Sequence, residues 1–232
     1  MGKLIVIESS DGAGKSTQSK IIESYLRDLG KSVAFYHFPM YGHNKFSELI
    51  SRFLRGEFGS IKEVSPYFVA NLYAMDRFMF LPELKKSLEE NDVVLLDRYV
   101  LSNIAYQSAK YPFFSEESIS ISKWIEEFEF NFLGLPVPDL NILLDIPTSI
   151  TRTRLMNKRE GADREYLEGG KDIHEEDHDF QGRVRAKYLD YMAGREKCFI
   201  VSCVSENGYG DYDVLDPYEI FINYENEIDK IL

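Results

Sequence analysis

Ile7-Glu8-Ser9-Ser10-Asp11-Gly12-Ala13-Gly14-Lys15-Ser16 is the stretch that decides the fold. It follows an apolar run, Leu4-Ile5-Val6-Ile7, and leads into Thr17-Gln18-Ser19-Lys20-Ile21-Ile22. A buried strand, a glycine-bearing turn and a helix start, in that order, read as a phosphate-binding loop. Gly12 and Gly14 permit the tight turn that aims backbone N–H groups at an anion. The helix starting near Lys15 adds the positive end of its dipole. Lys15 supplies counter-charge for terminal phosphates, and the Ser16 hydroxyl is a candidate ligand for Mg²⁺. Ser10, Asp11, Gly12, Ala13, Gly14, Lys15, Ser16 and Thr17 thus form the candidate nucleotide-binding set. The general pattern G-x-x-x-x-G-K-[ST] has glycine where this chain has Ser9. The alternative, a glycine turn with an accidental lysine, needs the whole D-G-A-G-K-S-T run after a hydrophobic strand to be coincidence.

Outward from this loop, short apolar runs alternate with longer amphipathic ones. Candidate strands are Leu4–Glu8, Ser32–His37, Val93–Asp97, Leu140–Asp145 and Phe199–Val204. Helical patterns cover Ser16–Leu29, Lys45–Leu54, Pro66–Glu90, Ser102–Lys110, Glu116–Phe132, Ser149–Lys158, Glu175–Tyr191 and Pro217–Ile231. Strands separated by helices predict right-handed crossovers and an α/β architecture, a five-stranded parallel sheet flanked by helices on both faces. Ligands bind beyond the C-terminal strand ends of such sheets. That selects Asp11 to Ser16, Phe38 to Tyr41, Asp97 to Tyr99, Asp145 to Thr148, and Ser205 onward. Gly161 to Asp179, polar, glycine-bearing and dense in charge, is the candidate mobile lid. The expected organisation is one domain, 1–232, with a lid segment at about 158–179.

The bulk properties exclude several classes. A chain of 232 residues with 44% hydrophobic content can bury one substantial core. A net charge of −12, from 27 basic and 39 acidic residues, argues against a general nucleic-acid binder or an anionic-membrane binder. Met1-Gly2-Lys3 enters the first strand directly, so no signal peptide is expected, and Val6 stands where myristoylation needs Ser or Thr. No apolar run has the length of a membrane span. Cys198 and Cys203 lie in one apolar segment and read as buried, reduced thiols. The expectation is a cytoplasmic protein with small-molecule partners, no nucleic acid and no membrane.

Asp97-Arg98-Tyr99 follows Val93-Val94-Leu95-Leu96. A carboxylate at a strand end beside a phosphate loop can orient Mg²⁺ through water, and the next arginine can hold a phosphate by two parallel hydrogen bonds. A salt-bridged strand end is the simpler alternative. The chain is similar to the thymidylate kinases, P-loop nucleoside monophosphate kinases acting on dTMP. The resemblance rests on Asp11 to Thr17, Phe38-Pro39, Leu72-Tyr73-Ala74-Met75-Asp76-Arg77, and Asp97-Arg98-Tyr99-Val100-Leu101-Ser102-Asn103-Ile104-Ala105-Tyr106-Gln107. Leu144-Asp145-Ile146-Pro147 and the lid residues Arg159 to Arg164 follow in order. It runs from Lys3 to about Val204 and implies the P-loop NTPase fold, with ATP as phosphoryl donor, Mg²⁺, dTMP as acceptor and a homodimer.

The resemblance also implies roles. Asp11 would sit beside the transferred phosphoryl group and Lys15 on the β- and γ-phosphates, with Arg98 bridging donor and acceptor. Phe38 would stand near the deoxyribose, Tyr73 stack on thymine, and Arg77 hydrogen-bond O4. Asn103, helped by Ser102, would read N3. Tyr106 would lie against the sugar C2′, with Gln107 its neighbour. Read from the residues alone, Arg77 also fits a surface arginine lying over an apolar helix face, and Tyr73 and Tyr106 fit ordinary core packing. In this family a catalytic arginine comes from the loop or from the lid. Position 13 is alanine, which directs attention to Arg159, clustered with Lys158 and Arg164. A solvated, salt-bridged helix end is the alternative there. Arg154 or Arg152 is the candidate for stacking on adenine.

Two other patterns carry less. His174-Glu175-Glu176-Asp177-His178 spells the H-E-x-x-H zinc signature, but its surroundings are acidic, with no apolar flanks and no third ligand downstream. Asn157-Lys158-Arg159-Glu160 departs from the guanine-reading N-K-x-D element at its last position. Trp124 to Phe132 suits an interface or the core. The runner-up activity is a kinase for another deoxynucleotide or deoxynucleoside. A nucleotide-binding switch without phosphotransfer would not need Arg77, Asn103 and Tyr106 together.

Overall fold

The apolar runs pair as one parallel sheet. In the computed structural model, which describes residues 1–157, 167, 172–206 and 212–232, the strands are β1 (Lys3–Glu8), β2 (Val33–His37), β3 (Val93–Asp97), β4 (Leu140–Asp145) and β5 (Cys198–Ser202). Their order is β2-β3-β1-β4-β5, and every adjacent pair is parallel. Because β1 is central, the loop after it opens at the middle of the sheet's C-terminal edge, where such folds bind ligands. Alternation along the strands divides the core into two layers. Leu4, Val6, Val94 and Leu96 face one layer, and Ile5, Ile7, Val93 and Leu95 face the other. All eight are almost fully buried, as strands covered on both faces require.

The helices covering the sheet are α1 (Lys15–Asp28), α2 (Lys45–Leu54), α3 (Pro66–Met79), α4 (Leu81–Glu90), α5 (Val100–Ser108), α6 (Glu116–Glu126), α7 (Thr148–Asn157), α8 (Ile173–Glu176), α9 (His178–Met192) and α10 (Pro217–Asp229). The expected continuous helix Pro66–Glu90 is two helices. Pro82 lacks the N–H an interior position needs but is tolerated in the first turn of α4, so the chain restarts there. The expected helix to Phe132 changes pitch: after Glu126 the backbone runs as a π-helix, Glu127–Phe132. The expected strand to Val204 stops at Ser202. Val204–Glu206 (β6) then pairs antiparallel with Tyr212–Val214 (β7), a hairpin absent from the sequence reading. Asp216, with Glu219 and Pro217, caps α10 through a reciprocal capping box.

Most of the expected lid, including Lys158, Arg159 and Arg164, lies outside the described residues. Leu167 is described and packs against Ile50, Phe53 and Leu72. Among the described residues, no helix is long and apolar enough to cross a membrane.

Candidate active site

The loop after β1 takes the conformation its glycines were expected to supply. Gly12 and Gly14 have φ of 79° and 99°, and the Gly14 carbonyl accepts the first amides of α1, from Thr17 and Gln18. Ser9, in the place of the usual first glycine, is fully buried. Its Oγ lies 3.1 Å from Lys15 Nζ, from which it accepts, and donates to the Ser10 carbonyl at 2.7 Å. The departure from the general pattern therefore ties the lysine to its own loop.

Arg98 projects from the end of β3 into the same space. Its φ of 69° is unusual for a residue with a side chain, and its N–H donates to the Ile7 carbonyl at 3.0 Å. Nη1 donates to the Ser9 carbonyl at 3.0 Å and to Ser102 Oγ at 3.1 Å, and Nη2 donates to Asp11 Oδ1. The other Asp11 oxygen accepts from Tyr106 Oη at 2.7 Å and Gln181 Nε2 at 3.1 Å. Burial opposes ionisation of Asp11, but Arg98 and Lys15 outweigh it and hold the carboxyl down at about 2. Asp11 is a carboxylate at any physiological pH.

Glu8 and Asp97 complete the floor. Glu8, fully buried at the end of β1, accepts from the Tyr99 N–H at 2.9 Å, the Ser102 N–H at 3.2 Å, Ser102 Oγ at 2.5 Å and Tyr188 Oη at 2.9 Å. A carboxylate on the first amides of α5 fastens that helix to the central strand. Burial nevertheless raises its pKa. The pKa of Asp97 is lowered: burial works the other way, but Lys15 and His37 prevail. Its Oδ1 is buried with no partner among the described residues. An orphaned carboxylate oxygen on a residue that lines the same cavity as Ser16 fits a hydrated magnesium ion.

A cavity of about 950 Å³ opens over this floor. Asp11, Gly12, Ala13, Gly14, Lys15, Ser16, Thr17, Tyr73, Asp97, Arg98, Ser102, Asn103, Tyr106, Gln107 and Arg154 all line it, so most of the sequence-derived set converges on one space. Arg154 Nη1 reaches the Gly12 carbonyl at 3.4 Å. Three residues of that set are not on the wall. Ser10 is buried beneath the loop. Phe38, expected near the deoxyribose, packs edge-on against Phe80 at 5.8 Å and beside Tyr99 at 6.0 Å, while its neighbours His37, Pro39 and Tyr41 reach the cavity. Arg77, expected on the base, is 2% exposed and forks onto Glu129, Nε to Oε2 at 2.6 Å and Nη2 to Oε1 at 2.7 Å. A guanidinium so desolvated requires a carboxylate partner, and the π-helix supplies it. Arg159 lies outside the described residues.

Sequence reasoning missed Glu8, Gln181 and Tyr188 as parts of the site. Glu8 carried a signal, an acidic residue closing an apolar strand. Gln181 and Tyr188 come from α9, far along the chain, and carried none. The H-E-x-x-H run does not form one helix face: α8 ends at Glu176 and Asp177 starts α9 as its cap. His174 instead packs its ring against Tyr106 and Phe180, each at 5.2 Å.

The loop residues and the residues of α3 and α5 line one cavity and flank Asp11 and Arg98, so a donor nucleotide on the loop would meet an acceptor in the rest of the cavity at those two side chains. Such an arrangement defines a P-loop phosphotransferase. Comparison with known proteins narrows the class: the family model for thymidylate kinase matches residues 7–207. The curated thymidylate kinase of Mycobacterium tuberculosis is 35% identical over 190 residues, covering 82% of this chain and 86% of that protein. That of Leifsonia xyli is 34% identical over 201 residues, covering 86% of each. The chain belongs to the thymidylate kinase family. A solved thymidylate kinase structure from Candida albicans shares the fold, with a TM-score of 0.67 at 24% identity, covering 98% of this chain and 93% of that one.

Proposed function

We propose that the protein transfers the γ-phosphoryl group of ATP to dTMP, giving dTDP and ADP, as a cytoplasmic homodimer. The observation that carries this reading is the placing of Arg98: one guanidinium touches the phosphate loop at Ser9, the carboxylate of Asp11 and the start of α5 at Ser102. The side chain that steadies the donor loop thereby also borders the acceptor chamber. A dTMP phosphate oxygen attacks the γ-phosphorus as the bond to the β,γ-bridging oxygen breaks, and ADP carries that oxygen away. Little covalent work is left to the protein beyond aligning two anions and neutralising their charge.

Lys15 and the loop amides of Gly12, Ala13, Gly14, Ser16 and Thr17 hold the donor phosphates, and Ser10 supports the loop from beneath. Ser16 and Asp97 would hold Mg²⁺, which would supply counter-charge to the donor phosphates. Arg154, with Val214 and Leu215 of the β7 end, borders the cavity on the side suited to the adenine. Tyr73 stacks on thymine, Tyr106 closes on the sugar, and Asn103 and Gln107 supply polar contacts from α5. Phe38 backs the sugar side from the core. Arg159 supplies the arginine that Ala13 lacks. The stacked rings of Trp124, Phe128 and Phe132, the last 78% exposed, support a partner surface on this face, and sedimentation equilibrium tests the dimer.

Lys15→Ala tests the assignment. Its kcat with ATP and dTMP should fall at least about a hundredfold, because a fixed positive group facing developing charge is removed. Turnover at the wild-type rate overturns the loop assignment.

A further inference from the structure

Glu129 occupies an unusual position. It is fully buried on the π-helical turn between α6 and β4, and its carboxylate accepts from three nitrogens: two of Arg77, and Nδ2 of Asn103 at 2.8 Å. The second Asn103 Nδ2 bond goes to the Ala70 carbonyl at 2.9 Å. Both neighbours of this nitrogen are acceptors, so the amide cannot be turned over. Reversed, it would set Oδ1 against two oxygens with no proton between them. Asn103 Oδ1 remains buried without a partner among the described residues, on a side chain that lines the cavity.

We infer that Glu129 is a specificity-determining positioning residue, which fixes the Asn103 amide so that it offers the base pocket an acceptor only. The inference rests on the proposed dTMP reading of the chamber and deepens it. A base meeting this oxygen must present an N–H. Thymine and uracil do so at N3; cytosine presents a lone pair there and would leave two acceptors facing each other in a desolvated site. A polar group denied its partner in such a site is strongly disfavoured, which is how an amide can separate bases of equal size. Arg77 contributes at one remove: it holds the carboxylate in place from behind.

Turnover of dTMP, dUMP and dCMP by wild type, Glu129→Gln, Glu129→Asp and the paired Arg77→Met/Glu129→Met tests the inference. In Glu129→Gln a neutral amide replaces the carboxylate that accepts from both Arg77 and Asn103, and its NH2 group cannot satisfy either, so the restraint on Asn103 is loosened. The expected result is a fall of at least about tenfold in the dTMP-over-dCMP ratio of kcat/KM, carried by KM for the nucleoside monophosphate, with KM for ATP unchanged. Glu129→Asp, which keeps the charge, should retain most of the selectivity. The paired variant removes both buried charges together, so it serves where the single change fails to fold, and it should lose selectivity likewise. Wild-type preference for dTMP with an unaltered ratio in the Gln and paired variants overturns the role of Glu129 alone. A wild type that prefers a purine monophosphate overturns the reading of the chamber and this inference with it.

Discussion

His174 shows how much one enclosed side chain governs the response to pH. Its ring is almost fully buried against Tyr106, Phe180 and Phe53, and its Nε2 has no partner among the described residues. Burial, with Lys110 and Arg98 nearby and Asp11 opposing them, lowers its pKa to about 3. Between the ordinary imidazole value of 6.5 and about 3, the unfolded chain binds a proton that the folded protein refuses. Stability therefore falls as pH drops through that window. From pH 7 to pH 5 the histidine should account for about 2 kcal/mol of lost unfolding free energy. Urea titrations of wild type and His174→Gln at the two pH values measure it: the variant should lose that much less. At this scale the sequence was most legible where chemistry is contiguous. Gly12, Gly14 and Lys15 lie within one turn of chain, and their spacing alone suggests a phosphate loop, while the part expected of Asp11 came from the family resemblance. Glu129 and Gln181 act across the fold, and a single acid or amide within a helix carries no positional signal. The π-turn hides Glu129 further, because ordinary helical periodicity does not apply through it.

The elements meet the site through a few polar contacts set in apolar layers. Gln18 on α1 donates to the Pro217 carbonyl at 2.9 Å and accepts from Tyr224 Oη on α10 at 2.6 Å. Tyr224→Phe would leave Gln18 Oε1 buried with nothing to accept, at a cost of about 1–2 kcal/mol. Although Gln18 lines the cavity, its amide is tied to α10 and not to another site residue, so the change is expected to act on stability and not on chemistry. Chemical denaturation should show the loss while kcat stays near wild type. Helix and strand identities were readable from periodicity, and two of the misread boundaries share a cause. Pro82 sits inside an unbroken amphipathic pattern, and Cys203-Val204 resumes an apolar run broken only by Ser202, so hydrophobicity continued where the backbone turned. Phe38 and Arg77 illustrate a related limit: the family resemblance put each beside the substrate, while here each packs in the core, Phe38 against Phe80 and Arg77 on Glu129.

For the whole molecule, binding and folding are linked through the cleft. The cavity spans from Tyr73 on α3 to Val214 and Leu215 beyond the sheet, so a nucleotide pair filling it would bridge segments that otherwise meet only through the core. Scanning calorimetry with dTMP and a non-hydrolysable ATP analogue, each at a hundred times its dissociation constant, should show the midpoint rising with each ligand. Each would stabilise the native state by about 2.7 kcal/mol if they bind independently. No shift with dTMP would remove it as a ligand. The backbone at Arg98 has a consequence for anyone seeking a hardier version of this protein. A left-handed φ is where replacement by glycine ordinarily relieves strain, and a survey of backbone angles alone would nominate the position first. Glycine there would forfeit the guanidinium. The same guanidinium is held by Ser9, Ser102 and Asp11, so glycine would trade relief of the backbone for the loss of those three contacts, and improvement must be sought elsewhere in the chain.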